Sequence, residues 1–203
     1  KSIYIDRKDD GRQKEKAYSV SNNSHIGTIT YDDPVEIKKC LEKNDSNKWS
    51  SSNVKDRSHT LNKIADDIEH NPYELIYFLI NEAGKTIQNS IDEIREAVDF
   101  LRYYSNQILE ITNEKELEGP TGEKNIISYS PKGRFLCISP WNFPVAILIG
   151  QISAALASGN KVIVKPSEHT SILGYLVVKR FHELGIPPEA LELIIGDGSY
   201  GEV

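Results

Sequence analysis

Apolar residues recur at helical spacing through the first half of the chain and as short continuous runs in the second. Leu61, Ile64, Ala65 and Ile68 follow Val54 three and four residues apart, which predicts a helix. Asn71-Pro72-Tyr73-Glu74 opens another, carrying Leu75, Ile76, Leu79 and Ile80 and closed by Gly84. The longest run is Ile87, Ile91, Ile94, Val98, Leu101, Tyr104 and Ile108, a single apolar stripe. Upstream, Asp33-Pro34 starts a helix with Val35, Ile37 and Leu41 that ends near Asn44. Ala17 to Tyr31 reads as a strand, turn and strand around Ser21-Asn22-Asn23-Ser24. Residues 1–16 are densely charged with almost nothing to bury, so a solvated tail is expected there.

The pattern changes after Gly119-Pro120-Thr121-Gly122. A short strand, Ile126 to Tyr129, is bounded by Pro131 and Gly133. Then come strand Arg134–Ser139, helix Pro144–Ser158, strand Lys161–Lys165, helix Thr170–Leu184 and strand Leu191–Ile195. Phe135-Leu136-Cys137-Ile138 and Val162-Ile163-Val164 are continuously apolar, as strands of a parallel sheet covered on both faces should be. The fold class is α/β: a helical N-terminal half followed by a βαβαβ Rossmann-like parallel sheet.

Composition narrows the function classes. The formal net charge of −6 over 203 residues argues against a nucleic-acid partner, which needs clustered Lys and Arg. Val145–Ala157 is too short to span a membrane and is interrupted by Gly150, Gln151 and Ser153, so it reads as a buried helix. Two cysteines, Cys40 and Cys137, lie far apart without CxxC spacing, and Lys1 to Lys16 shows no apolar signal segment. A reducing, cytoplasmic setting is the expectation. His25, His59, His70, His169 and His182 have no metal-ligand spacing. Asp92, Glu93 and Glu96 read as the solvated face of the long helix, helped by Arg95 and Arg102.

Ligands on open parallel sheets bind at the carboxyl ends of the strands, and there the polar residues of this chain collect. Three loops share that rim: Ser139-Pro140-Trp141-Asn142-Phe143-Pro144, Lys165-Pro166-Ser167-Glu168 and Gly196-Asp197-Gly198-Ser199-Tyr200-Gly201. The third matches a dinucleotide fingerprint in spacing but sits at the third βα turn; a plain glycine-rich turn is an equal reading. Glu168 stands where an acidic side chain binds an adenosine ribose, which favours NAD over NADP. Lys165 either reaches the same ribose or a phosphate, or snorkels to solvent. Asn142, framed by Pro140 and Pro144, is either an amide donor for an oxyanion or the N-cap of the following helix.

The run Cys137 to Pro144, with Gly150-Gln151, Ala154-Ala155-Leu156, Gly159-Asn160 and Lys165-Pro166-Ser167-Glu168, resembles the aldehyde dehydrogenase superfamily. Glu82-Ala83-Gly84-Lys85-Thr86, Glu96 to Tyr104 and Gly119 to Glu123 resemble its L-glutamate-γ-semialdehyde (Δ1-pyrroline-5-carboxylate) dehydrogenase branch, the module found in bifunctional proline utilization proteins. The resemblance covers residues 17–203 as part of an NAD-binding domain. It implies NAD-dependent oxidation of a small-molecule aldehyde, L-glutamate γ-semialdehyde, to L-glutamate. It implies that Asn142 is the oxyanion-hole amide and that Ile138, Ser139, Pro140 and Trp141 line the nicotinamide side. Lys165, Ser167 and Glu168 would hold the ribose, while Gly196 and Gly201 would let the backbone approach the dinucleotide. Residues 122–133 look like the family's strand excursion into a subunit-contacting arm, which points to a homo-oligomer.

In that family a cysteine thiolate attacks the aldehyde and a glutamate activates water, both later in the chain than the asparagine. No cysteine follows Asn142 here, and Cys40 and Cys137 both read as packed thiols. The expectation is a fragment that is inactive alone. The alternative is a non-catalytic nucleotide-binding or assembly subunit completed by a separate C-terminal chain.

Overall fold

The computed structural model describes residues 3–5, 12–35, 37–38 and 48–198, the side chain of Tyr4 excepted. Strands β1 (Ile3–Ile5), β2 (Lys14–Tyr18) and β3 (His25–Thr30) form one sheet in the order β1-β3-β2. The expected hairpin is present: β2 runs antiparallel to β3, and Asn23 takes a left-handed φ of 56° in the connecting turn. The described residues of the expected solvated tail, 3–5 and 12–16, are instead largely in strands. β1 pairs parallel with β3, Ile5 is 1% exposed within the main core, and Lys14, Glu15 and Lys16 belong to β2. A charged flank says little about pairing, because an edge strand keeps charged side chains in water while its backbone completes a ladder. Of the helix expected after Pro34, residues 34, 35, 37 and 38 are helical, whereas Cys40, Leu41 and Asn44 lie outside the described residues.

Three helices follow. α1 (Val54–His70) starts at Asn53, whose side chain accepts from the Lys55 amide, and buries Leu61, Ile64, Ala65 and Ile68 as their spacing predicts. α2 (Tyr73–Asn81) is short and stops where Gly84 turns the chain with φ 71°. α3 (Ile87–Ile111) packs along α1. Its apolar stripe holds from Ile94 to Ile108 but not in its first turn. Ile87 is 65% exposed, while Ser90 and Glu93 face inward beside Ile94, Ala97 and Leu101. The inward face of that turn meets the start of a later helix, whose amide donors need an acceptor rather than another isobutyl group.

An exposed hairpin, β4 (Lys115–Leu117) with β5 (Asn125–Ile127), leads into the second half. There β6 (Arg134–Ile138), α4 (Ala146–Ala157), β7 (Lys161–Lys165), α5 (Ser171–Glu183) and β8 (Leu191–Leu193) alternate as expected. The strands pair in parallel in the order β6-β7-β8. Central β7 is buried throughout, but β6 keeps one open edge and leaves Phe135, Leu136 and Ile138 exposed. α4 is buried on nearly all sides, and no helix among the described residues is long and apolar enough to cross a membrane. The N-terminal sheet is tied to this half at the end of β8, where the Asp32 carboxylate accepts from the Ile195 amide and the Asp32 amide donates to the Ile195 carbonyl.

Candidate functional site

The first rim loop leaves β6 at Ser139 and enters α4 at Ala146. Asn142 does not cap the helix. The N-cap position is Val145, without a side-chain cap of its own. The two amides at this helix start, Val145 and Ala146, donate to Glu93 Oε1 at 2.8 and 3.1 Å. Glu93 Oε2 faces the ammonium of Lys85, and Lys85 Nζ lies 4.1 Å from the centroid of the Phe143 ring. Glu93 therefore corrects its reading as part of a solvated helix face. It is 2% exposed, while Asp92 and Glu96 on either side do face water. Arg102 also departs from expectation, bridging to Asp66 and Glu69 of α1 instead of to carboxylates of its own helix.

With its capping alternative removed, the Asn142 amide stands exposed at the rim between exposed Trp141 and Phe143. Ser139, at the loop's root, is 3% exposed, and its hydroxyl has no hydrogen-bond partner among the described residues. Its backbone amide donates to the Lys165 carbonyl at 3.3 Å, which ties the first loop to the second. Ile138 and Pro140 are exposed on the same rim.

The second loop follows β7. Lys165 is 5% exposed over the whole residue, and its ammonium has no hydrogen-bond or ion-pair partner among the described residues. An aliphatic stem held in an apolar sheet leaves that charge at the strand's end, on the rim. Ser167 Oγ accepts from the His169 amide at 3.3 Å and starts a short 3-10 turn (Glu168–Thr170), so its hydroxyl is partly committed to the loop itself. Glu168 is partly exposed, 4.0 Å from His169. Thr170 is buried, and its Oγ1 has no hydrogen-bond partner among the described residues. Gly174 lets α5 sit against Pro166, since a Cβ there would fall 2.5 Å from the proline ring.

The start of α5 repeats the device seen at α4. Glu82 accepts from the Ile172 and Leu173 amides at 2.8 and 2.9 Å, but among the described residues no cation faces it. Burial pushes its carboxyl up to about 8, against the opposing pull of the two amides. Glu82 also borders a cleft of about 370 Å³ with Tyr18, Val20, Trp141, Glu168 and Thr170. The N-terminal hairpin thus forms one wall of the rim cleft, with Glu15 and Lys16 among its lining. Beside it the Tyr31 hydroxyl donates to Glu15, and burial, that bond and nearby carboxylates raise its phenol well above the usual range.

At the third loop Gly196 is buried and Gly198 is exposed with open space where a Cβ would stand. Gly201 lies outside the described residues. Cys137 is 5% exposed and burial pushes its thiol up to about 11, which makes it a packed, unreactive group. Among the described residues no cluster of His, Cys, Asp and Glu is arranged to hold a metal.

Comparison with known proteins settles the ancestry of this arrangement. The model of the aldehyde dehydrogenase family matches residues 6–202. The chain belongs to the aldehyde dehydrogenase family. It is 38% identical over 176 residues to the bifunctional protein PutA of Escherichia coli, covering 85% of this chain and 12% of that protein. Among solved structures, a 1-pyrroline-5-carboxylate dehydrogenase superposes with a TM-score of 0.91 at 30% identity, covering 99% of this chain and 41% of the other. A 1-pyrroline-5-carboxylate dehydrogenase from Thermus with bound NAD gives 0.88 at 33% identity, covering 95% and 38%. The chain thus spans less than half the length of these aldehyde dehydrogenases, and about an eighth of PutA.

Within this family fold, reading along the chain locates the three loops but misses Lys85, Glu82, Glu93 and Thr170. For Glu93 a signal was present: it lies four residues before Ala97 and eight before Leu101, on the buried stripe of α3. Glu82 ends α2 near the closing Gly84, and nothing in its spacing points to a helix that begins at Ser171.

Proposed function

We propose that these residues form the cofactor-facing part of an NAD-dependent enzyme that oxidises L-glutamate γ-semialdehyde to L-glutamate. The observation that carries this reading is the set of polar groups left without partners on one rim. Ser139 Oγ and Thr170 Oγ1 are buried donors with no acceptor among the described residues, beside the Lys165 ammonium at the strand's end and the partly exposed Glu168 carboxylate. Unpaired buried donors are costly unless a ligand completes them, and a dinucleotide's hydroxyls and phosphates fit this set. Glu168 and Lys165 would hold the adenosine ribose, and the carboxylate disfavours a 2′-phosphate. Ile138, Ser139, Pro140 and Trp141 would line the nicotinamide side, with Ser167 beside the ribose. NAD, when bound, supplies the hydride acceptor.

The amides at the starts of α4 and α5 already donate to carboxylates. A buried carboxylate at each of these helix starts disfavours the pyrophosphate there, and Gly196, Gly198 and Gly201 on the third turn are left for close backbone approach. Asn142 would donate to the oxygen of the aldehyde as charge develops on it. The substrate assignment is supported by the names of the relatives, and no cysteine follows Asn142 within these residues. Cys137 is a free, buried thiol, and we retain the reducing, cytoplasmic setting as part of this reading. The exposed β4–β5 hairpin, with Leu117, Ile126 and Ile127 partly in water, suits the subunit-contacting arm expected around residues 122–133.

Calorimetric titration tests the cofactor reading. NAD is expected to bind the wild-type chain, NADP to bind far more weakly, and Glu168→Ala to lose most of the NAD affinity. Equal binding of both dinucleotides, or none of NAD, overturns it. With NAD and glutamate semialdehyde the chain alone is expected to give no steady NADH production.

A second reading is favoured by the open edge of β6 and its exposed Phe135, Leu136 and Ile138. In a doubly wound sheet the fourth strand adds beside the first, so this edge suits a separate chain supplying the remaining strands. Appearance of activity on mixing with such a chain supports it.

A further inference from the structure

We propose that Lys85 and Glu93 form a strut that holds the Asn142 loop in place, so that both are positioning residues for the rim. The inference rests on the reading of Asn142 as a donor to substrate, and deepens it. Asn142 itself has no hydrogen bond among the described residues that would orient it, and the loop around it is exposed from Pro140 to Phe143. The loop is held at its root by the Ser139 amide on the Lys165 carbonyl, and at its C-terminal end by contacts from the helical half. There Glu93 Oε1 takes two of the first-turn amides, Val145 and Ala146, three and four residues past Asn142. On the other side of the carboxylate, Lys85 pairs with Glu93 Oε2 and lays its ammonium against the Phe143 ring, next to Asn142.

The two contacts fix the loop at adjacent points from two different elements. Glu93 comes from the interior of α3, whereas Lys85 comes from the turn between α2 and α3. The Glu93 side chain is fully buried and that of Lys85 nearly so, where an ion pair is poorly screened by salt and both partners are costly to leave unpaired. The far end of α4 is held as well: Arg57 Nε donates to the Ala157 carbonyl and Trp49 Nε1 to the Leu156 carbonyl, at 2.9 and 2.8 Å. The helix cannot slide along its axis without breaking one set. The helical half thus acts on the rim through a helix clamped at both ends, with a carboxylate at its N-terminus and a guanidinium at its C-terminus.

The chain holds two tryptophans, one at each end of this device. Trp141 lies in the loop, and Trp49 at the far end of α4 serves as an internal reference. In 15N-labelled chain, Lys85→Met is expected to shift or broaden the Trp141 indole resonance and leave that of Trp49 in place. It should also speed hydrogen exchange of the Val145 and Ala146 amides at least tenfold, with Leu61 to Ile68 unchanged. Glu93→Gln retains an acceptor for the two amides but loses the charge that holds Lys85. It is expected to move the Trp141 signal while keeping exchange at Val145 and Ala146 slower than in Glu93→Ala, and it provides the same readout if Lys85→Met does not fold. An unmoved Trp141 signal in the folded variants overturns the strut, as does a uniform loss of protection that includes Leu61 to Ile68. NAD titration of the wild type separates the two readings. A moving Trp141 signal without NAD binding removes the cofactor reading and leaves the strut. NAD binding with an unmoved Trp141 signal removes the strut alone.

Discussion

The two crossover helices of the parallel sheet begin in the same way and are balanced differently. Each has its first amides satisfied by a buried glutamate from the helical half, Glu93 for α4 and Glu82 for α5. Glu93 has a lysine beside it, whereas no cation faces Glu82 among the described residues, and burial pushes the Glu82 carboxyl up to about 8. The same hydrogen-bonding task is thus met once by an ion pair and once by a carboxyl that keeps its proton near neutrality. A carboxylate beside a cation stays charged when buried, while one surrounded by apolar groups and two amides is neutral over much of the physiological range. The ion-paired version stands beside the exposed Asn142 loop, and the one without a cation beside the Glu168 turn.

Glu93→Ala is the strongest way to break this comparison. It strands Lys85 and two buried amides, and should cost about 3–5 kcal/mol, read as a lower urea midpoint. Glu82→Gln should act in the opposite sense above neutral pH. The unfolded chain releases the Glu82 proton near its ordinary 4.5, whereas the folded chain keeps it until about 8. Between those values folding takes up a proton, so this group's stabilisation, complete below about 4.5, is lost as pH rises through about 8. Replacing it by glutamine should flatten that fall, by on the order of a few kcal/mol across the window, in urea midpoints measured from pH 5 to 8.5.

At the other end of α4, Arg57→Met should cost about 1–3 kcal/mol by leaving buried carbonyls without a donor. Burial without a carboxylate also disfavours the charge of this guanidinium, so the variant sharpens how much of the clamp is charge and how much is hydrogen bonding. The smallest effect is expected from Asn53→Ala, which removes the N-cap of α1 and should cost about 1 kcal/mol. Thermal unfolding measures it, and the Trp141 resonance should stay in place because α1 does not reach that loop.

The parallel sheet, its two crossover helices and the three rim loops were legible in the chain because continuous apolar runs and turn residues are local signals. Their boundaries agree to within one residue, except that α4 starts two residues later and β8 ends two earlier than expected. Asn142, Lys165 and Glu168 were found by the same route, since loops between such elements expose what they carry. The first strand was misread because its pairing partner, β3, lies more than twenty residues away in sequence.

Sequence by itself determined the order of elements, the apolar β7 strand and the family, through motifs spread over most of the chain. Tertiary structure decided which polar residues are buried. A glutamate on an amphipathic helix looks the same whether it faces water or the start of another helix 52 residues on. The difference is a set of unsatisfied amides that exists only once α4 has docked. The same holds for Arg57, whose carbonyl partner on α4 is 100 residues away. Helix periodicity reports which face is apolar, and long-range packing decides where the few buried charges on that face find their partners.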